Sequence, residues 1–186
     1  MKLINQKYLK VLENKNCFKL ANFSRTNFLD FEYQRPHEFF NYFWDLYEKF
    51  KKTFKQEKNK LINNQVNGDA FAIIFGFLLE REKVKILKMD EELANVKFVK
   101  PDFLVKAKNK NIIFLSLKVS IRERWKQADW ESIRFKKIYK NSKTIIVMNE
   151  KSEINSLKEK IPFISIDYVF YSGSADINNL FEIIKK

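Results

Sequence analysis

Two acids and a lysine between residues 102 and 131 have the types and spacing of a metal-dependent hydrolytic centre. Asp102 follows Pro101 at the start of a predicted strand, and Lys118 lies in the next predicted strand. A polar turn at 108–111 joins the two strands, and such a hairpin brings Asp102 close to Lys118. Glu131 follows thirteen positions after Lys118, near the start of a predicted helix. This order predicts one site that holds two carboxylates and one ammonium.

These groups match what phosphodiester hydrolysis requires, which is a cation, an activated water and in-line geometry. Mg²⁺ prefers oxygen ligands, commonly one or two carboxylates together with phosphate and water. We therefore expect Asp102 and Glu131 to bind Mg²⁺ and Lys118 to orient the attacking water. Ser116 shares a strand face with Lys118 and stands where a second acid would help, so it joins the catalytic candidates. The alternative for Glu131 is a solvated acid in the first helical turn, favoured by the helix dipole.

A triplet of alternating charge, Arg122-Glu123-Arg124, follows the lysine strand. In the major groove an arginine fork fits the two acceptors of guanine, and a carboxylate accepts from the amino group of cytosine. The triplet could therefore read two adjacent G·C pairs, with Arg122 and Arg124 on guanines and Glu123 on cytosines. The alternative is an exposed, charged helix start with weak local ion pairs.

Composition limits the classes of protein that this chain can belong to. Its 186 residues suit one domain, 1–186, in which residues 1–35 are weakly patterned and read as an N-terminal arm. A net charge of +13 favours a polyanionic partner, although a lysine-rich solvated surface would give the same value. One Cys and one His exclude a Cys-based zinc site and a His-rich metal site. No apolar run approaches the roughly 20 residues of a membrane span, so we expect a cytoplasmic protein.

Apolar periodicity predicts an α/β chain in which helices alternate with strands. Aromatic residues at intervals of three to four positions predict a helix over 36–57 with a core-facing stripe, and a second helix is predicted to begin at Asp69 after a turn at 63–68. The predicted strands are 102–107, 112–120, 143–148 and 163–166, and residues 84–87 and 96–99 are predicted to form short strands or strand-like loops. The predicted later helices are 128–139, 152–159 and 176–184.

The segment 101–131 resembles the PD-(D/E)XK nucleases, whose fold is a central mixed β-sheet flanked by helices. More narrowly, it is similar to the type II restriction endonucleases that read CC/GG sequences, the EcoRII and NgoMIV group. In that group the second metal-binding acid has moved from the lysine strand to the following helix. Ser116-Leu117-Lys118 followed by Glu131 is similar to this swapped arrangement, and Arg122 to Gln127 is similar to the group's base-recognition segment.

The resemblance implies a Mg²⁺-dependent type II restriction endonuclease that hydrolyses double-stranded DNA at CC/GG-containing palindromes. CCNGG, CCWGG and CCGG are the expected forms, and Trp125-Lys126-Gln127 favours the five-base-pair type. It also implies a homodimer, since a palindrome is most simply read by a two-fold assembly, and a cognate DNA methyltransferase in the same system. The group tends to carry a further acid on the helix before the Asp strand. Asp69 and Glu80 are candidates for that role, with Asp69 as a third metal ligand.

Basic residues after the triplet are expected to neutralise DNA phosphates without reading sequence. They are Lys126, Arg134, Lys136 and Lys137. Two other functions remain open. One is a repair or structure-selective nuclease that ignores sequence. The other is a DNA-binding module with a degenerate nuclease fold and no catalysis, for which Ser116 in place of an acid is the best support.

Overall fold

The computed structural model describes residues 4–8, 25–58, 64–120 and 124–186. The chain divides into two compact units, Met1–Glu82 and Lys83–Lys186. Each unit has its own secondary structure, helical in the first and mixed in the second. The single domain and the N-terminal arm stay predictions.

The described part of the first unit is helical and has an aromatic core. Residues 4–8 are helical, and three longer helices follow: α1 (Arg25–Asp30), α2 (Pro36–Lys58) and α3 (Asn64–Arg81). Phe28 stacks on Phe43 of α2 and on Phe77 of α3, with ring centroids 4.6 and 4.5 Å apart. The aromatic stripe of α2 is therefore a core-facing surface, as its spacing of three to four residues predicts.

The second unit contains a five-stranded mixed sheet. Its strands are β1 (Lys85–Met89), β2 (Phe103–Lys106), β3 (Ile112–Lys118), β4 (Lys143–Met148) and β5 (Tyr168–Tyr171), and they lie in that order across the sheet. β1, β2 and β3 pair antiparallel, whereas β3, β4 and β5 pair parallel. Among the residues described in this unit, three helices accompany the sheet: α4 (Arg124–Ile138), α5 (Ile154–Lys160) and α6 (Asp176–Lys185). The predicted strand at 163–166 is wrong, because Pro162 and Phe163 lie in a 3-10 turn and the last strand begins at Tyr168.

The β3–α4–β4 crossover fixes which face of β3 meets α4. Alternate residues of a strand point to opposite faces, so Phe114, Ser116 and Lys118 share one face. Phe114 packs on Phe135 of α4, with ring centroids 5.3 Å apart. Ser116 and Lys118 therefore also face the side of the sheet that α4 covers.

The helices among the described residues include none that is long and apolar enough to cross a membrane.

Candidate active site

Asp102 lies directly before β2 and is hydrogen-bonded to the backbone of β3. Its Oδ2 accepts a hydrogen bond from the Leu117 amide at 2.6 Å and a long one from Ser116 Oγ at 3.5 Å. This contact arises because the β2–β3 register pairs Phe103 with Leu115, so that Asp102 comes opposite Ser116. The hairpin thus holds one carboxylate at a fixed place beside the end of β3.

Lys118 is the last residue of β3, and its ammonium turns towards Asp102. Lys118 Nζ lies 3.8 Å from Asp102 Oδ2, and the lysine side chain is 17% exposed. Its carbonyl accepts from the Asn149 amide at 3.0 Å, which anchors the strand end to the residue after β4. Ser116 is buried, and its hydroxyl makes the long contact to Asp102. The Ser116 hydroxyl therefore helps to hold the Asp102 carboxylate in place.

Glu131 reaches the same place from α4. β3 and β4 are parallel, so the helix α4 that connects them runs antiparallel to both. A position one turn before Phe135 on α4 therefore lies further along β3 than Phe114, in the direction of Lys118. Four helical residues rise about 6 Å and two strand residues about 6.6 Å, which brings Glu131 level with Ser116. Glu131 lies in the third turn of α4 and is 6% exposed. The alternative of a solvated first-turn acid is therefore wrong.

Gln127 holds the Glu131 carboxylate, a contact that the sequence analysis missed. The two residues lie one turn apart on α4, and Gln127 Nε2 donates to Glu131 Oε1 at 2.9 Å. Burial raises the pKa of Glu131 above its ordinary value, whereas the Gln127 hydrogen bond and the charge of Lys118 lower it and the charge of Asp102 raises it. The carboxylate is thus buried and has few donors, and it lies within electrostatic range of both other predicted catalytic groups.

The donor set suits a hard divalent cation such as Mg²⁺. Among the described residues, the polar contacts of Asp102 fall on Oδ2 and that of Glu131 falls on Oε1. Each carboxylate therefore keeps a second oxygen available for a ligand. In the described parts of the chain no group of three or more His, Cys, Asp or Glu side chains could hold a metal. Two carboxylates without a protein cage fit Mg²⁺, which keeps waters and takes phosphate oxygens as ligands.

The predicted base-reading triplet is described only in part. Arg122 and Glu123 lie outside the described residues, and Arg124 is exposed as the first residue of α4. The neighbouring Trp125 packs partly buried against the cluster around Ala128, and Gln127 is bonded to Glu131. The five-base-pair target that Trp125, Lys126 and Gln127 favour stays a prediction.

The predicted phosphate-binding residues lie on different sides of α4. Lys126 and Lys137 are exposed, and Arg134 stacks on the exposed ring of Trp130 at 4.7 Å. Lys136 points away from Arg134, since two residues along a helix turn about 200°. Its ammonium donates to the Ser165 carbonyl and pairs with Asp167 at 2.7 Å. Lys136 thus holds the segment that precedes β5, unlike the other three.

The two further acids belong to the first unit. Asp69 was predicted to begin a helix, but α3 already begins at Asn64, so Asp69 lies in its second turn. Its carboxylate pairs with Lys7 at 2.9 Å. Glu80 lies in the last turn of α3. The support that these acids would give to a metal site stays a prediction.

No protein-family model and no curated protein matches the chain. Among solved structures, the chain is similar to a chain of the complex between restriction endonuclease PspGI and its substrate DNA. The TM-score is 0.55 with 15% sequence identity, and the match covers 91% of this chain and 75% of the other. At this identity the likeness shows the fold alone. The protein has a restriction-endonuclease-like fold, a mixed five-stranded sheet flanked by helices, as predicted.

Proposed function

We propose that the protein is a Mg²⁺-dependent endonuclease that hydrolyses phosphodiester bonds of double-stranded DNA. The observation that supports it best is the meeting of Asp102, Lys118 and Glu131 at one end of the sheet, on a restriction-endonuclease-like fold. The structural neighbour is a restriction endonuclease in complex with its substrate DNA, and the net charge of +13 suits the same polyanion.

Each residue has a distinct part in the proposed reaction. Asp102 and Glu131 would hold Mg²⁺, which when bound offsets the charge of the phosphate. Lys118, held close to Asp102, would orient the attacking water and stabilise negative charge on the phosphate. Gln127 would keep the Glu131 carboxylate ionised and correctly turned. Ser116 and the Leu117 amide would fix Asp102.

We further propose the finer class, a type II restriction endonuclease of the EcoRII and NgoMIV group that recognises CC/GG palindromes in the cytoplasm. The placement of Glu131 on α4, level with a buried Ser116, supports the swapped acid of that group. Arg122, Glu123 and Arg124 would read the bases, while Lys126, Arg134 and Lys137 would contact phosphates. A homodimer would present two such segments to a palindrome, and a cognate methyltransferase would protect the host sites.

A plasmid assay tests the sequence specificity. With Mg²⁺, we expect discrete fragments from plasmids that carry CCGG or CCNGG sites and no cutting of matched plasmids from which those sites have been removed. The reason is that each bidentate base contact discriminates by about 1–3 kcal/mol, so that several contacts together exclude other sites. Mapping the fragment ends by sequencing gives the site and the cut position.

Two outcomes of this assay favour the other functions. Equal degradation of every plasmid would show that the protein is a sequence-independent nuclease and not a restriction endonuclease. Tight duplex binding without Mg²⁺-dependent turnover would instead favour a non-catalytic DNA-binding module.

Changing Gln127 to Leu should shift the pH dependence of cleavage. The variant loses the hydrogen bond that lowers the pKa of Glu131, so Glu131 takes up a proton at higher pH and the acidic limb of the rate profile moves upwards. A hydrogen bond to a charged group contributes about 1.5–3 kcal/mol, so the rate at low pH should fall on the order of tenfold. Ile133→Ala, at an exposed position of the same helix, is the control and should keep the original profile. An unchanged acidic limb in Gln127→Leu would show that the bond has no part in ionisation.

A further inference from the structure

A pocket lies at the end of β3 that is remote from the candidate active site. It is formed by residues 110–112 and 139–142, between the β2–β3 turn and the α4–β4 connection, and encloses about 250 Å³. We call it the hairpin pocket. β3 has seven residues, so its first residue, Ile112, lies about 20 Å from its last, Lys118. The hairpin pocket is therefore separate from the candidate active site.

The positive charge of the hairpin pocket favours an anionic ligand. Its lining contains Lys110 and Lys140 and no acid. Neither ammonium has an ion-pair or hydrogen-bond partner among the residues that the structure describes. Asn111 and Asn141 add amide donors beside them. Lysine ammonium groups together with neutral amide donors are typical phosphate-binding groups. Planar carboxylates are instead bound preferentially by the two parallel N–H donors of an arginine.

Both walls of the hairpin pocket are held by hydrogen bonds before any ligand binds. The Ser142 amide and its hydroxyl both donate to the Tyr139 carbonyl, and the Tyr139 ring lies 4.7 Å from Phe135. On the opposite wall the Ala107 amide donates to the Asn111 carbonyl at 2.9 Å. The donors thus stand on two fixed turns, and binding would order little additional backbone.

Lys110 occupies a backbone position that favours glycine. Its φ is 71°, in the left-handed region where a Cβ is strained. The chain therefore has a lysine where glycine would relieve strain, and backbone strain of this kind is a reason to look for function. A pocket of this size is also smaller than the roughly 300–1,000 Å³ of sites for drug-sized ligands, so it suits a single small group.

We propose that the hairpin pocket is a phosphate-binding site, held by Lys110 and Lys140 with amide donation from Asn111 and Asn141. The phosphate belongs either to a free anion or to a DNA backbone away from the candidate active site. The proposal does not depend on the proposed nuclease activity, because it concerns a different end of the sheet. Both lysines are exposed, so the affinity for inorganic phosphate is on the order of 1 mM.

Amide NMR of the full chain tests the hairpin pocket without any activity. At constant ionic strength and without Mg²⁺, inorganic phosphate should shift the amide signals of residues 110–111 and 140–142 along a saturating curve. Lys110→Gly should weaken the binding at least about fivefold by removing one of the two charges, and it should also raise the melting temperature, since glycine relieves the strain at that φ. Lys140→Gln should weaken the binding at least about fivefold by removing one of the two charges. Weaker binding in a better-folded variant cannot come from unfolding.

The control is the double variant Lys97→Gln, Lys151→Gln, which removes two exposed lysines elsewhere in the second unit. It should bind phosphate as the unmodified protein does. A parallel titration with a duplex that lacks CC and GG steps identifies the source, since saturation by the duplex alone assigns the site to DNA backbone. Failure of both ligands to saturate these signals, or equal loss in the control, would overturn the proposal. Absence of DNA cleavage would leave it unaffected.

Discussion

Lys118→Ala should reduce Mg²⁺-dependent DNA cleavage by at least about 100-fold, the usual effect of removing a group that orients water or stabilises developing charge. Lys118 is the lysine whose ammonium lies at 3.8 Å from Asp102 and within electrostatic range of Glu131. Plasmid cleavage under single-turnover conditions measures the loss directly. Melting curves should remain close to those of the unmodified protein, because Asp102 keeps its bond from the Leu117 amide.

Duplex binding separates a catalytic role of Lys118 from a role in DNA affinity. Loss of one cation from a basic surface should change the salt dependence of binding by about one phosphate contact at most. Lys151→Ala, at an exposed lysine outside the site, is the matched control and should cut at the original rate. Cleavage by Lys118→Ala at the original rate would refute the assignment of the active site.

Glu131→Gln should abolish cleavage and at the same time stabilise the folded protein at neutral pH. The carboxylate is 6% exposed, and burial raises its pKa in the folded state. A group with a raised folded pKa contributes stability that is fully present below the unfolded pKa and is lost as pH rises through the folded pKa. The neutral amide avoids that loss and still offers a carbonyl to Gln127. Its cleavage rate should fall by at least about 100-fold, because the variant lacks one of the two carboxylates that are proposed to bind Mg²⁺.

Thermal unfolding in EDTA between pH 4 and pH 7.5 measures this effect on stability. The melting temperature of Glu131→Gln relative to the unmodified protein should rise as the pH increases. Adding Mg²⁺ should then stabilise the unmodified protein more than the variant, since a ligand that binds only the folded state stabilises it by mass action. Glu159→Gln, at an exposed position of α5, should show neither effect. A variant that is less stable at pH 7 and insensitive to Mg²⁺ would contradict the role of Glu131.

The sequence predicted the parts of the fold that depend on continuous apolar patterns. The buried strands β3 and β4 were placed within two residues, because Ile112–Lys118 and Lys143–Met148 are apolar runs bounded by polar turns. The α2 helix was predicted for the same kind of reason, its regular aromatic spacing. The mixed sheet followed from the order of these elements and from the family resemblance.

Errors arose where local signals were weak or conflicting. Asn63 to Gly68 has turn composition, yet most of it is the first turn of α3, because the apolar residues that follow bury that helix. The predicted start of the next helix at 128 left Gln127 outside it. The observed start at Arg124 puts Gln127 one turn before Glu131, which is why that hydrogen bond was missed. The buried face of α4 carries an acid and a serine, while its isoleucines Ile133 and Ile138 are exposed, so apolar pattern alone could not orient it.

The two carboxylates of the proposed centre, Asp102 and Glu131, are made at different times during synthesis of the protein. The β2–β3 hairpin carries Asp102 and Lys118, whereas Glu131 arrives only when α4 packs across β3 through contacts such as Phe135 on Phe114. Because α4 follows β3 along the chain, it leaves the ribosome later. A nascent chain therefore holds two of the three groups of the proposed centre, and the proposed cleavage of DNA would begin only once the α4 crossover is complete.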